Sequence, residues 1–194
     1  DDAIHLVQSF YGCGISLTRA LADWFYDKAL SGGALVDQAT HNFDLLRVLM
    51  GEVVDVCGLA ANPVEAKQEG YTVDEVLSLS FRFENGAVGS HVHTWVGDAW
   101  RNEVVLVGEK RLYRILLNQG LLTVEDGDDC SQFRQDQKAM YHHQNERFIA
   151  AVGGGDWSGN PCDYDDGVRS LELTLRCDEA ITDGRVHANA PAAS

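Results

Sequence analysis

Residues 73–83 constrain this chain more tightly than any other stretch. Val73, Glu75, Leu77, Leu79, Phe81 and Phe83 alternate with Asp74, Ser78, Ser80 and Arg82. A period of two sends alternate side chains to opposite faces, so the segment predicts a half-buried strand. Glu84, Asn85 and Gly86 follow at once, and Asn-Gly supplies the positive φ angles of a tight hairpin turn. The chain must therefore return antiparallel, through residues 87–96. Further strands are predicted over 4–10, 53–60, 103–107, 112–116 and 121–124. Residues 12–18 read as an irregular loop leading into 20–30. Helical periodicity marks 33–50, with Gly51 as its C-cap, and then 138–152 and 163–182. In the last helix Tyr164, Val168, Leu171 and Leu175 form the expected core face, and in the one before it Tyr141, Phe148 and Val152 share a stripe. Residues 188–194 read as a frayed tail. Hairpin strands in series with helices at both ends predict an α+β domain: a predominantly antiparallel open sheet with helices packed on one face.

The 194 residues fit a single domain, 1–194, large enough for a sizeable core. Fifteen basic against 30 acidic residues give a formal charge of −15. Such a surface repels phosphate backbones and anionic lipid, which argues against nucleic acid as a partner. No apolar run approaches membrane-spanning length, so no membrane association is expected. Five cysteines, Cys13, Cys57, Cys130, Cys162 and Cys177, occur without a C-x-x-C pair. Neither a disulfide framework nor a zinc knuckle is suggested, and a reducing cytoplasm is the expected location.

The chemistry-bearing residues gather in the helix at 33–50. Asp37 and His41 are four apart and project from one face. A carboxylate one turn from an imidazole can orient the ring and support its cationic form, which makes a proton-transfer pair. The plainer reading is two polar residues on the wet side of an amphipathic helix. His91, His93 and Trp95 alternate on a strand and share a face, expected on the side that meets a partner. Two imidazoles at that spacing could touch a metal, but no third ligand is placed, and no metal site is expected.

The words around Asp37 and His41 carry a resemblance. Trp24-Phe25 and Ser31-Gly32-Gly33, then Asp37-x-x-x-His41-x-x-Asp44 and Leu49-x-Gly51, resemble the signature of the Gfo/Idh/MocA oxidoreductases at the start of their C-terminal domain. Residues 83–89, 104–110, 145–152 and 163–173 resemble that domain's later elements, in family order. The resemblance implies the substrate-side domain of an NAD- or NADP-dependent enzyme acting on a sugar, cyclitol or related polyol. Trp24, Asp37 and His41 would bind substrate; His41 would exchange the hydroxyl proton, and Asp37 would orient it or hold the substrate. It also implies that the open sheet face forms a homodimer.

The family's N-terminal Rossmann domain is expected to be missing from this chain. The only candidate after a plausible strand, Gly12-Cys13-Gly14, has Leu17 where the third glycine should stand, and no Glu-Lys-Pro occurs. No cofactor is expected on this chain alone, and the chain reads as a piece of a longer protein. Two alternatives stay open: an NAD-using glycosidase of the same fold, and a non-enzymatic dimerisation or sugar-binding module.

Overall fold

The computed structural model describes residues 2–18, 21–64, 69–98, 100–158, 162–183 and 187–188. Strand β1 (Ile4–Gly12) leads through a single turn, α1 (Ile15–Thr18), to a 3₁₀ turn at Asp23–Tyr26 and α2 (Lys28–Ser31). A π-helical turn at Leu35–Ala39 runs straight into α3 (Thr40–Met50). Strands β2 (Val53–Ala61), β3 (Val76–Phe83), β4 (Val88–Thr94), β5 (Arg101–Gly108), β6 (Arg111–Leu116), β7 (Leu121–Asp126) and β8 (Asp129–Arg134) follow. Helices α4 (Gln137–Gly154) and α5 (Tyr164–Asp183) come next, and then the two-residue strand β9 (His187–Ala188).

One sheet holds these strands in the order β8-β7-β6-β5-β1-β4-β3-β2-β9. All pairings are antiparallel except β1 with β4, which run parallel and finish together, Gly12 beside Thr94. The predicted α+β architecture is therefore the observed one. β8 lay outside the sequence reading; its residues are all exposed and carry no alternation of burial to read. The predicted turn at Asn85-Gly86 forms, with Gly86 at φ 85°. Its Asn85 amide also donates to the Met50 carbonyl at 3.0 Å, so the hairpin closes the C-terminal end of α3.

Alternation along the central strands sorts residues between two faces. Val7, Leu77, Leu79, Phe81, Phe83, Val104 and Leu106 are buried under the helices. Gln8, Ser78, Ser80 and Arg82 point from the other face into solvent. Phe43 of α3 sits edge-on to Phe81, 5.8 Å between ring centres, and to His91 at 5.3 Å. His91, His93 and Trp95 do share a face, but it is the helix-covered one, and all three are fully buried. They lie on the strand positions of Gly89 rather than Val88, which is exposed. The expected partner-facing role is thereby corrected.

A second correction concerns α5. Its inward residues are Ser170, Leu173, Thr174, Cys177 and Ala180, while Tyr164, Val168, Leu171 and Leu175 are exposed. Both sets repeat at helical spacing, so periodicity alone cannot choose between them. Closeness chooses: α5 packs so near β2 that a methyl on Gly58 would lie 2.9 Å from Ile181 Cγ2. The bare Gly58 admits Ile181, and the small Ser170, Thr174, Cys177 and Ala180 are buried on the same inward side. The stripe of α4 is exposed as well, and Ala151 is that helix's one buried residue. Helix cover on the sheet thus comes from α3 and α5.

Arg47 joins those two helices. Its guanidinium donates to both oxygens of Glu52 at 2.9 and 2.7 Å, to the Asp166 carboxylate at 2.9 Å and to Ser170 Oγ at 2.6 Å. Ser170 in turn donates to Asp44 at 2.6 Å. The Arg47 guanidinium holds the carboxyls of Glu52 and Asp166 below the ordinary carboxylate value. Arg47→Met should therefore lower unfolding stability by about 2–3 kcal/mol, less than the roughly 3–5 kcal/mol of a fully buried pair, because the orphaned carboxylates reach water. Chemical denaturation at neutral pH measures it.

Candidate active site

The chain enters the motif helix through two left-handed residues, Gly32 at φ 74° and Gly33 at φ 67°. A Cβ on Gly32 would also meet Val36 at 2.6 Å. Leu35 and Ala39 anchor the next turn in the core. In an α-helix residue i+4 overshoots residue i by about 40°. The π-turn is wider, with i→i+5 bonding, and reduces that overshoot; such insertions recur at functional sites. Asp37 and His41 both stand exposed on this turn and its continuation, while Gln38 turns inward and is half-buried. Partial enclosure pushes the Asp37 carboxyl above its ordinary value, and the His41 ring beside it acts in the opposite direction.

Beneath the pair lies a floor of rings. Gln38 Oε1 accepts from Trp95 Nε1 at 2.9 Å and lies 3.3 Å from His93 Nε2 and 3.5 Å from Cys13 Sγ. Trp95 stacks on Phe25, 5.1 Å between centres and 17° from parallel. Tyr11 stacks on His93 at 4.9 Å and 11°. Burial pushes His93 down to about 3, so its ring is neutral. A neutral ring facing a carbonyl oxygen carries its proton on Nε2.

Further along, Asn42 Nδ2 donates to Ser9 Oγ at 3.1 Å and to Asn102 Oδ1 at 3.0 Å, and Ser9 Oγ lies 3.0 Å from His91 Nδ1. Burial, with His93 as a second cause, holds His91 well below its ordinary value. The inner face of the motif helix is thus polar where it crosses β1 and β4, and apolar at Leu35, Phe43 and Leu46.

Asp37 and His41 both stand exposed, close enough for the His41 ring to act on the Asp37 carboxyl. Trp24 stands exposed on the neighbouring 3₁₀ turn, edge-on to Phe25 at 5.8 Å. It reaches the pair only through Phe25, Trp95 and Gln38. Sequence reasoning missed four residues of the same neighbourhood. The Tyr11 hydroxyl bonds with Cys13 and Trp100, and it feels the Asp37 charge. Burial is the main cause raising Tyr11, and also raises Cys13, opposed there by the bond to Gln38. Tyr11 and Cys13 could have been found only by knowing that β1 and β4 run parallel and end together. Gln38 was legible as the neighbour of Asp37; Trp100 had no local signal. Among the described residues no group of three or more His, Cys, Asp or Glu could hold a metal ion.

The fold and this site define a class. A profile of the GFO/IDH/MocA C-terminal domain matches residues 3–114. The chain belongs to the GFO/IDH/MocA family, as a C-terminal domain. Protein UNK4.17 of Schizosaccharomyces pombe, itself uncharacterised, is 28% identical over 173 residues, 77% of this chain and 42% of that protein. Levoglucosan dehydrogenase in complex with NADH and levoglucosan superposes with a TM-score of 0.84 at 18% identity, covering 95% of this chain and 58% of that one. An oxidoreductase domain protein from Kribbella flavida gives 0.81 at 18% identity, with 95% and 58% covered. GenD2 from gentamicin A biosynthesis, in complex with NAD, gives 0.73 at 21% identity, with 97% and 56% covered. The chain spans about half the length of these relatives. The structural likenesses establish the shared fold.

Asp37 supplies a test of the site's electrostatics. Its folded value lies above the unfolded one. Ionisation therefore costs stability: the cost is absent below the ordinary carboxylate range and sets in as pH rises through the raised value. Asp37→Asn should raise Tm slightly at pH 7 and leave it unchanged in strong acid, as read by calorimetry.

Proposed function

We propose that this chain is the substrate-side domain of an NAD(P)-dependent oxidoreductase acting on a hydroxyl of a sugar, cyclitol or related polyol. The carrying observation is the exposed Asp37–His41 pair, set on a π-turn above a hydrogen-bonded floor. An alcohol oxygen placed against His41 can pass its proton to the ring, and Asp37 steadies the cation that forms. Tyr11, coupled to Asp37, adds a hydroxyl for a second substrate oxygen. The exposed Trp24 indole offers an apolar plane for a sugar's C–H face. The neighbours named for levoglucosan and NADH support this class of substrate and cofactor.

The residues present do not fit the dinucleotide itself. A Cβ on Gly14 would meet the Gly97 carbonyl oxygen at 2.6 Å, so this glycine admits neighbouring backbone, not pyrophosphate. The following helix, α1, is a single turn. Hydride acceptance would belong to a cofactor held by a nucleotide-binding domain outside this chain. The part left to this chain is to hold the alcohol and take its proton. The free thiols of all five cysteines support a reducing, cytoplasmic setting.

In the full-length protein His41→Ala should lower kcat by about 10²–10⁴-fold, the usual scale of general acid–base catalysis, and leave Tm unchanged. Normal turnover with a lowered Tm would instead mark His41 as structural. Steady-state assay and calorimetry on the same preparation separate the two.

The open sheet face supports a homodimer. Phe10, Ser90, Val92 and Val105 are half-buried there around a shallow depression that also takes in Gln8 and Glu103. A stable pair would need roughly 1,000 Å² of buried surface. Sedimentation at tens of micromolar should show a dimer that Phe10→Arg dissociates; a wild-type monomer would overturn the assignment.

A further inference from the structure

We propose that Gln38 is a positioning residue: its amide oxygen, engaged by donors just past β1 and at the end of β4, sets the rotation of the π-turn and so aims Asp37 and His41. The proposal rests on the reading of that pair as the working groups, but its test does not require turnover.

Three donors converge on Gln38 Oε1: Trp95 Nε1 at 2.9 Å, His93 Nε2 at 3.3 Å and Cys13 Sγ at 3.5 Å. Trp95 and His93 are fully buried, so no bulk water can replace the amide. An indole can only donate, and a neutral imidazole has one proton to give. The other nitrogen, His93 Nδ1, is buried without a partner. Removing the Gln38 oxygen would leave two buried N–H groups unpaired, each a substantial desolvation cost. Leu35, Ala39, Phe43 and Leu46 fill the apolar part of this helix's inner side, and Asn42 the polar part. An apolar residue at position 38 could fill the volume alone. What Gln38 adds is an acceptor at one angular setting.

That setting is the link to the site. Gln38 is the residue after Asp37, and both lie inside the five-residue π-turn. A π-turn is disfavoured against an α-turn unless side chains hold it. With Gln38 drawn down onto β4, Asp37 is carried to the outer side, beside His41 and facing Tyr11 and Cys13. If the oxygen lets go, the turn can tighten to α-helical spacing, and Asp37 rotates relative to His41.

The test is NMR on the isotopically labelled chain, wild type against Gln38→Asn, Gln38→Met and Gln38→Glu. Two signals are followed: the Trp95 indole N–H, for its shift and solvent exchange, and the Asp37 carboxyl carbon, for its titration. In wild type the indole proton should be protected and the Asp37 midpoint raised. Gln38→Asn withdraws the acceptor by one methylene, and Gln38→Met deletes it while keeping the volume. Both should expose the indole proton to exchange and lower the Asp37 midpoint toward the ordinary carboxylate range, as its enclosure is lost. Gln38→Glu keeps an acceptor and should keep the indole protected. A structural filler would show none of this pattern. An unprotected wild-type indole, an unmoved Asp37 midpoint in folded Gln38→Asn, or loss of protection in Gln38→Glu would each overturn the proposal. Should Gln38→Met fail to fold, the asparagine variant and the wild-type measurement still decide. Loss of the redox reading would appear only in the turnover assay, so the two failures are distinguishable.

Discussion

A buried N–H group has to find an acceptor, and the strand that carries His91, His93 and Trp95 presents such groups under the motif helix. The helix answers them in order. Gln38 takes the indole and the His93 ring; Ser9, held by Asn42, meets His91. These pairings fix which face of the helix looks down, and hence which looks out. Apolar packing alone is non-directional and would tolerate a rotated helix. The polar floor makes one rotation much better than its neighbours, and the exposed position of Asp37 and His41 follows from it.

The second fixed relation is between α3 and α5. Arg47 is the one cation on α3, and its fork spans Glu52, Asp166 and Ser170. Asp44, part of the recognisable motif, is engaged here through Ser170. The motif thus holds two kinds of residue in one helix. Asp37 and His41 look to solvent, while Asp44 and Arg47 fasten the helix to the last long element of the chain.

Much of this was legible in the sequence, for identifiable reasons. The strand at 73–83 and its Asn-Gly turn are local signals, and both form where expected, although the strand itself begins only at Val76. The helix at 33–50 was legible as a helix, but not its π-turn, which depends on the tertiary bonds of Gln38. Chain pattern could not assign the faces of α5, because its bulky stripe and its small-residue stripe have the same period. Gly58 on a distant strand settles that choice. His91, His93 and Trp95 were placed on one face correctly and on the wrong side of the sheet. Alternation gives two sets, and only the burial of Gln38 and Phe43 above them says which set is inside. Of the site, the pair on one helix was readable; Tyr11, Cys13 and Trp100 arrive from elsewhere in the chain.

Two imidazoles sealed in the middle of a domain also govern how it meets acid. In the unfolded chain each ring takes a proton near pH 6.5. In the folded one burial holds His93 down to about 3, and His91 well below its ordinary value. Because both folded values are depressed, stability is complete above pH 6.5 and drains away as pH falls toward the folded values. The layer that orients the surface pair is therefore also where falling pH weighs on the centre of the domain.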